Sequence, residues 1–312
     1  MAEYTIGVDV SKAFLDVHRL PDGKSTRFSN DKKGHKALAR WLKGPAVVRV
    51  VYEPTGAYHR GFERRLAALG LPLVKVNPLQ ARRFAQAKGQ RAKTDPVDAR
   101  MLAEMGLCFG LQADAVTPEI IRRIKELQIA RMALIKGRTR TKNRAYQLTL
   151  PLLKAQNAAR LKQIKSQLTA LETEIQRLIA SDPELLRKSL ILCSIKGISQ
   201  VTAAALIAEM PELGTLAPKQ AASLAGLAPV ARDSGQWRGK RFIQGGRKFL
   251  REALYMPALV AIRFNPDMKM KYQALKAAGK PSKVALTAIM RKLIILANTL
   301  IQKNRIWVEN LS

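Results

Sequence analysis

The first hundred residues alternate β-branched segments with helix-like ones, and this alternation constrains the fold more than any other feature. The strand-like segments are rich in Val, Ile and Leu, and we place them at residues 5–10, 14–20, 47–52 and 71–76. Helices are expected between and after them, at residues 34–42, 59–69, 78–87 and 96–107. The pattern predicts an α/β domain over residues 1–115.

Beyond this domain the sequence is mainly helical. Thr117-Pro118-Glu119 is a good helix start, and a helical segment over residues 116–184 follows. Its second half places apolar residues three and four apart, which predicts a coiled coil or a helical hairpin. These residues are Leu161, Ile164, Leu168, Leu171, Ile175 and Leu178. After Asp182-Pro183 we expect a C-terminal, mainly α domain over residues 185–312.

The charge of the chain indicates its class of partner. Lys and Arg total 55 against 23 Asp and Glu, a formal net charge of +32. Repulsion of this size opposes compaction unless a polyanion neutralises it, so nucleic acid is the expected partner. No apolar run approaches the roughly 18 residues of a membrane span, and the chain is expected to act inside the cell, on the nucleoid, without a membrane partner.

Two basic segments are candidate nucleic-acid contacts. On the first, alternate residues are basic, which spreads charge over two faces of a helix, although a solvated helix has the same pattern. Its residues are Lys136, Arg138, Arg140, Lys142 and Arg144. The second is glycine-rich and contains Arg238, Lys240, Arg241, Arg247 and Arg251. Trp237 beside them is a candidate for base stacking, but a core position is the more common use of tryptophan.

Four carboxylates are candidates for a metal site at one edge of the sheet. Asp9 lies in mid-strand, where a buried unpaired charge is costly, and Glu53 follows the strand at residues 47–52. Asp95 and Asp98 lie at a helix start, where a plain capping role is the simpler interpretation. Oxygen ligands without histidine favour a hard ion, Mg²⁺ or Mn²⁺. Two such ions would suit phosphodiester chemistry.

The motifs "GVDVSK", "YEPTGAYH", "AKTDPVDA", "IKGISQVTAAALIAEM" and "DSGQWRGKRFIQGGRKFLREALYMPAL" occur in this order along nearly the whole chain. In order and spacing the chain resembles the DEDD transposases of the 110 family of insertion sequences. These are related to Piv-type DNA invertases and are described as bridge-RNA-guided recombinases.

The resemblance implies a RuvC-like, RNase H-type N-terminal domain whose metal-binding tetrad is Asp9, Glu53, Asp95 and Asp98. It also implies a coiled-coil segment and a C-terminal transposase domain with Ser234 as the nucleophile that becomes linked to DNA. A homo-oligomer, dimer or tetramer, is implied, with tetrad and serine from different protomers. A noncoding guide RNA would pair with both target and donor DNA.

Alternatives to this function stay open at the level of sequence. Asp233-Ser234-Gly235 is by itself an ordinary turn, and no histidine lies near it in sequence to activate the serine hydroxyl. A hydrolytic junction nuclease would use the same tetrad with water. An actin-like ATPase would need glycine-rich phosphate loops, and a non-catalytic binder would need no metal.

Overall fold

The computed structural model describes residues 3–44, 46–90 and 94–309. The chain forms two compact units, residues 1–116 and 117–312. The boundary between them lies next to the one expected at residue 115, and a further boundary at residue 184 stays a prediction.

The N-terminal unit is built on one five-stranded sheet. Its strands are β1 (Glu3–Val10), β2 (Phe14–Leu20), β3 (Ser25–Ser29), β4 (Ala46–Tyr52) and β5 (Leu73–Lys75). Its helices are α1 (Lys32–Trp41), α2 (His59–Ala68), α3 (Pro78–Ala87) and α4 (Asp95–Cys108). The alternation of strands and helices predicted from sequence is confirmed, and β3 is an additional strand.

The strand order is β3-β2-β1-β4-β5. Strand β2 runs antiparallel to both β1 and β3, whereas β1, β4 and β5 run parallel to one another. A mixed sheet of this order and orientation is the arrangement of RNase H-like domains. It places the carboxyl ends of β1 and β4 side by side, which is where ligands bind in open α/β sheets.

Helices cover both faces of the sheet, because alternate residues of the central strands are apolar on each side. Ile6, Val8 and Tyr52 pack in one core cluster with Phe62 and other residues of α1 and α2. On the opposite face, a second cluster joins β4 and β5 to α4. Helix α4 is therefore fixed against the sheet along its length.

The C-terminal unit is mainly helical. Its helices are α5 (Glu119–Ala145), α6 (Pro151–Ala180), α7 (Pro183–Ser194), α8 (Gln200–Glu209), α9 (Pro218–Leu224), α10 (Lys248–Phe264), α11 (Pro266–Ala277) and α12 (Ser282–Gln302). Four short strands form two antiparallel pairs: β6 (Pro229–Val230) with β9 (Phe242–Ile243), and β7 (Asp233–Ser234) with β8 (Trp237–Arg238).

The apolar seam of α6 packs within its own chain. Ile164, Leu168, Ile175 and Leu178 are buried, and α6 lies along α5 as a helical hairpin. The ion pair between Arg131 Nε and Glu172 Oε1, 2.7 Å apart, links the two helices. The hairpin is thus one of the two forms predicted from the seam, and a coiled coil between copies stays a prediction.

Helix α12 is long and apolar enough to cross a bilayer by length and composition alone, with a window of mean hydropathy 1.7. Over half of that window, 56%, is nevertheless buried inside the protein. Ile289, Leu293 and Ala297 have no exposed surface and pack in the same core cluster as residues of α7, α8 and α10. The packing is that of a core helix.

Candidate active site

The position of Asp9 follows from the alternation of side chains along β1. Ile6, Val8 and Val10 face the core formed with α1 and α2, so Gly7 and Asp9 face the side covered by α4. Gly7 is required there, because a Cβ atom at this position would lie 1.9 Å from the Ala99 carbonyl oxygen and 2.4 Å from the Ala103 nitrogen. The glycine lets the α4 backbone rest directly on β1.

This close packing also fixes the register between α4 and β1. Gly106 of α4 lies against Thr5, and Ala99 and Ala103 lie against Gly7, so the helix and the strand run in opposite directions. The first turn of α4 lies one helical turn before Ala99, and it therefore reaches the level of Asp9 on β1. That turn carries Asp95 and Asp98.

Glu53 is placed by the parallel pairing of β1 with β4. Val8 is paired with Tyr52, the last residue of β4, so Glu53 follows at the level of Asp9 on the neighbouring strand. Asp9, Glu53 and Asp98 are half-buried, whereas Asp95 is exposed. The four predicted carboxylates therefore come from three separate elements to one edge of the sheet.

Their proximity has an electrostatic effect on Asp9. Burial, followed by repulsion from Asp95, Asp98, Asp16 and Glu53, raises the pKa of Asp9 to about 6. Clustered carboxylates of this kind are the donor set of a hard divalent cation, which relieves their repulsion. In the described ranges, no three His, Cys, Asp or Glu side chains are grouped closely enough to hold a metal ion as they stand. The oxygen donors nevertheless fit a hard divalent cation by their chemistry.

One acidic residue of this edge was not predicted. Asp16 of β2 is paired with Asp9 in the antiparallel register, and it is buried, with 5% of its surface exposed. Arg27 of β3 donates two hydrogen bonds to it. Its acidic neighbours lie on other strands, so no local motif marks it in the sequence.

Ser234 lies in the other compact unit, on an exposed hairpin. Ser234 pairs with Trp237 across a two-residue turn in which Gly235 has φ of +55°. A glycine with positive φ at the first turn position is typical of tight hairpins. Ser234 is exposed, and Trp237 keeps 63% of its surface exposed, so a core position for this tryptophan is wrong.

The basic residues fall into two groups. Those on α5 and at residues 238–241 have solvent-accessible side chains. In the described part of the chain, only Arg241 among them has an acidic partner, Asp233 at 3.5 Å. These residues are Lys136, Arg138, Arg140, Lys142, Arg144, Arg238, Lys240 and Arg241. They are accessible to a polyanion.

Arg247 and Arg251 instead donate hydrogen bonds to acceptors within the fold. Arg247 forms a fork with both carboxylate oxygens of Glu212, at 2.7 and 2.9 Å, and also donates to the Glu209 carbonyl. Arg251 donates to the carbonyls of Gly226 and Gly245. Internal acceptors thus engage part of each guanidinium, and phosphate contact by these two residues stays a prediction.

Comparison with known proteins places these features in a family context. Residues 6–151 match the profile of an IS110-type DEDD transposase domain, described as "Transposase", and residues 189–273 match the "Transposase IS116/IS110/IS902 family". The chain is 28% identical to the pilin gene-inverting proteins of Moraxella bovis and Moraxella lacunata, over 98% of each chain. It is also 32% identical to an uncharacterized 43.6 kDa protein of insertion element IS110 from Streptomyces coelicolor, over 47% of this chain and 36% of that protein.

Proposed function

Because the chain belongs to the IS110 family of transposases, which are DNA recombinases, we propose that it cuts and rejoins DNA at the edge formed by Asp9, Glu53, Asp95 and Asp98. The observation that carries this proposal is the convergence of carboxylates from β1, the end of β4 and the first turn of α4. If Asp95 and Asp98 served only to start α4, their role would not explain why Asp9 lies at the same level of the sheet.

We propose Mg²⁺ or Mn²⁺ as the cofactor, held by the same four residues. When bound, such an ion polarises a phosphodiester and stabilises the attacking and leaving oxygens. The protein supplies the negative charge that attracts the ion and the half-buried setting that strengthens the interaction. DEDD transposases are in general dependent on divalent metal, which agrees with this donor set.

We further propose that Ser234 is the nucleophile. Attack of its Oγ on phosphorus forms a serine–phosphate bond, releases one deoxyribose hydroxyl, and conserves the energy of the phosphodiester bond. Attack by the hydroxyl of another strand reverses the step and joins the DNA without ATP. The exposed hairpin position of Ser234 supports access to DNA, and the exposed Arg238 and Lys240 beside it suit phosphate contact.

The proposed partners are target DNA, donor DNA and a noncoding guide RNA. The net charge of +32 and the accessible cations of α5 support binding of more than one nucleic-acid duplex. Base pairing with the guide would determine sequence specificity, and the protein would hold the backbones. An enzyme with these partners would work in the cytoplasm, at the bacterial nucleoid.

We also propose that the working unit is a homo-oligomer, a dimer or a tetramer. The tip of the α5–α6 hairpin supports this, since Tyr146 is 91% exposed and Leu150 and Leu152 are also exposed. Exposed apolar side chains in a cluster are typical of interaction sites.

A second candidate function is hydrolytic cleavage with water as the nucleophile. One observation favours it: all four carboxylates belong to the N-terminal unit, whereas Ser234 belongs to the C-terminal unit. A hydrolytic enzyme would need the tetrad alone. The two candidates differ in their products: hydrolysis leaves free DNA ends, and the serine mechanism leaves protein attached to DNA.

The deciding experiment incubates the full chain with guide RNA, Mg²⁺ and labelled target and donor DNA, and then separates products under denaturing conditions. The proposed mechanism predicts a covalent protein–DNA adduct that is lost in Ser234→Ala while DNA and RNA binding persist. Ser223→Ala, which alters another serine of the same unit, is the control and should keep the adduct. Cleavage without any adduct would favour hydrolysis, and an undiminished adduct in Ser234→Ala would exclude Ser234.

A further inference from the structure

Arg27 connects the edge strand β3 and its neighbour β2 to the first turn of α4. On β3 it lies opposite Asp16 of β2, which in turn lies opposite Asp9 of β1, so the three residues form a row across the sheet. Arg27 Nε and Nη2 donate to the two carboxylate oxygens of Asp16 at 2.9 and 3.0 Å. Nη2 also lies 3.7 Å from Oδ2 of Asp95.

This contact lies at the first turn of α4, directly after its N-cap residue. Thr94, the N-cap of α4, makes no capping hydrogen bond through its side chain. Such a cap typically stabilises a helix and fixes where it begins. The ion pair with Arg27 supplies an external connection between Asp95 and the sheet.

The Arg27 side chain is itself held in place. Both oxygens of Asp16 accept from the guanidinium, which fixes its plane, and the guanidinium carbon lies 5.2 Å from the centre of the Phe14 ring. Nη2, which donates to Asp16, is also the atom that lies 3.7 Å from Asp95 Oδ2. One guanidinium nitrogen thus lies between the two carboxylates.

We propose that Arg27, oriented by Asp16, is a positioning residue that sets the location of Asp95 for metal binding. The inference rests on the proposed function, since it assigns a supporting role to the same metal site. Arg27 also neutralises Asp16, which would otherwise add a fifth negative charge beside Asp9. Residues that support metal ligands typically affect affinity about 10- to 100-fold when removed.

The test measures two quantities on the metal-free full-length protein: the affinity for Mn²⁺ by calorimetry, and amide hydrogen exchange at residues 98–102 of α4. Arg27→Gln should weaken Mn²⁺ binding about 10- to 100-fold and speed exchange at the start of α4. Asp9→Asn, which removes a proposed ligand, should abolish binding.

The double variant Asp16→Asn with Arg27→Gln separates positioning from simple charge compensation. It replaces the ion pair by a neutral pair, so stability should recover relative to Arg27→Gln alone, while Mn²⁺ affinity should stay low. Arg19→Gln is the matched control, because Arg19 of β2 forms the same kind of fork with Asp22 in the turn after that strand. It should leave Mn²⁺ affinity unchanged.

The inference would be overturned if Arg27→Gln had the same Mn²⁺ affinity and the same amide exchange rates as wild type. It would also be overturned if the double variant recovered Mn²⁺ affinity. A wild-type protein that binds no Mn²⁺, or whose binding survives Asp9→Asn, would contradict the proposed metal site instead. In that case the exchange rates at α4 still decide whether Arg27 positions Asp95.

Discussion

Gly7→Ala should separate the folding of the N-terminal unit from the assembly of its carboxylate edge. The added Cβ would lie 1.9 Å from the Ala99 carbonyl oxygen, whereas ordinary contacts begin at 3.4 Å, so α4 must move away from β1 by about 1.5 Å. Both neighbouring atoms, in Ala99 and Ala103, belong to backbone and cannot rotate aside. The helix must therefore shift as a body.

The shift has two expected costs. Overpacking of this kind lowers the free energy of unfolding by about 1–3 kcal/mol. Because Asp95 and Asp98 are carried by α4, the same movement displaces them relative to Asp9. A misplacement of about 1 Å can lower a reaction rate about 100-fold, so we expect at least that loss in strand cleavage.

The assay measures cleavage of the labelled DNA with guide RNA and Mg²⁺, alongside urea unfolding of the same preparation. Gly137→Ala is the control, since this glycine lies within helix α5 and no atom would lie within 4 Å of its Cβ. We expect the control to be more stable by about 0.5–1 kcal/mol. Wild-type cleavage by folded Gly7→Ala would refute the argument that close packing of α4 on β1 aligns the carboxylates.

Three further predictions concern charge. Arg238→Gln and Lys240→Gln should each weaken DNA binding across sequences and reduce the slope of log affinity against log salt by about one, measured by fluorescence anisotropy. Neutralising the basic residues of α5, Lys136, Arg140 and Arg144, should weaken nucleic-acid binding in the same assay without changing the free energy of unfolding by more than about 0.5 kcal/mol. Stability should fall at acidic pH through Glu212: burial raises its pKa, but the Arg247 fork lowers it by more, so the net pKa is below 4.5. The resulting stabilisation is present above the ordinary value and is lost as pH falls through the folded pKa. The free energy of unfolding, measured with urea at a series of pH values, should therefore fall more steeply with decreasing pH for wild type than for Glu212→Gln.

Local patterns were sufficient to predict most elements of the N-terminal unit. The alternation in β1 predicted that Gly7 and Asp9 share a face, and the structure places α4 on that face. The internal contacts of Arg247 and Arg251 were not predictable in this way. Their acceptors, Glu212 and the Gly226 carbonyl, lie about 25–35 positions earlier in the chain, and a basic, glycine-rich stretch has the same composition whether its arginines bind phosphate or brace the fold.

Strand β3 illustrates the same limit at the candidate site. Its sequence, Ser-Thr-Arg-Phe-Ser, is short and polar, and edge strands of this kind lack the apolar alternation that identifies central strands. Because β3 was not predicted, Arg27 had no assigned position, and Asp16 could not be recognised as its partner. Both follow only from the register of three strands, which brings Asp9, Asp16 and Arg27 into one row. Sequence motifs identify the carboxylates that would hold the metal, whereas the residues that orient them are identified by strand pairing. Variants of Arg27 thus test a contribution to metal binding that the family motifs do not contain.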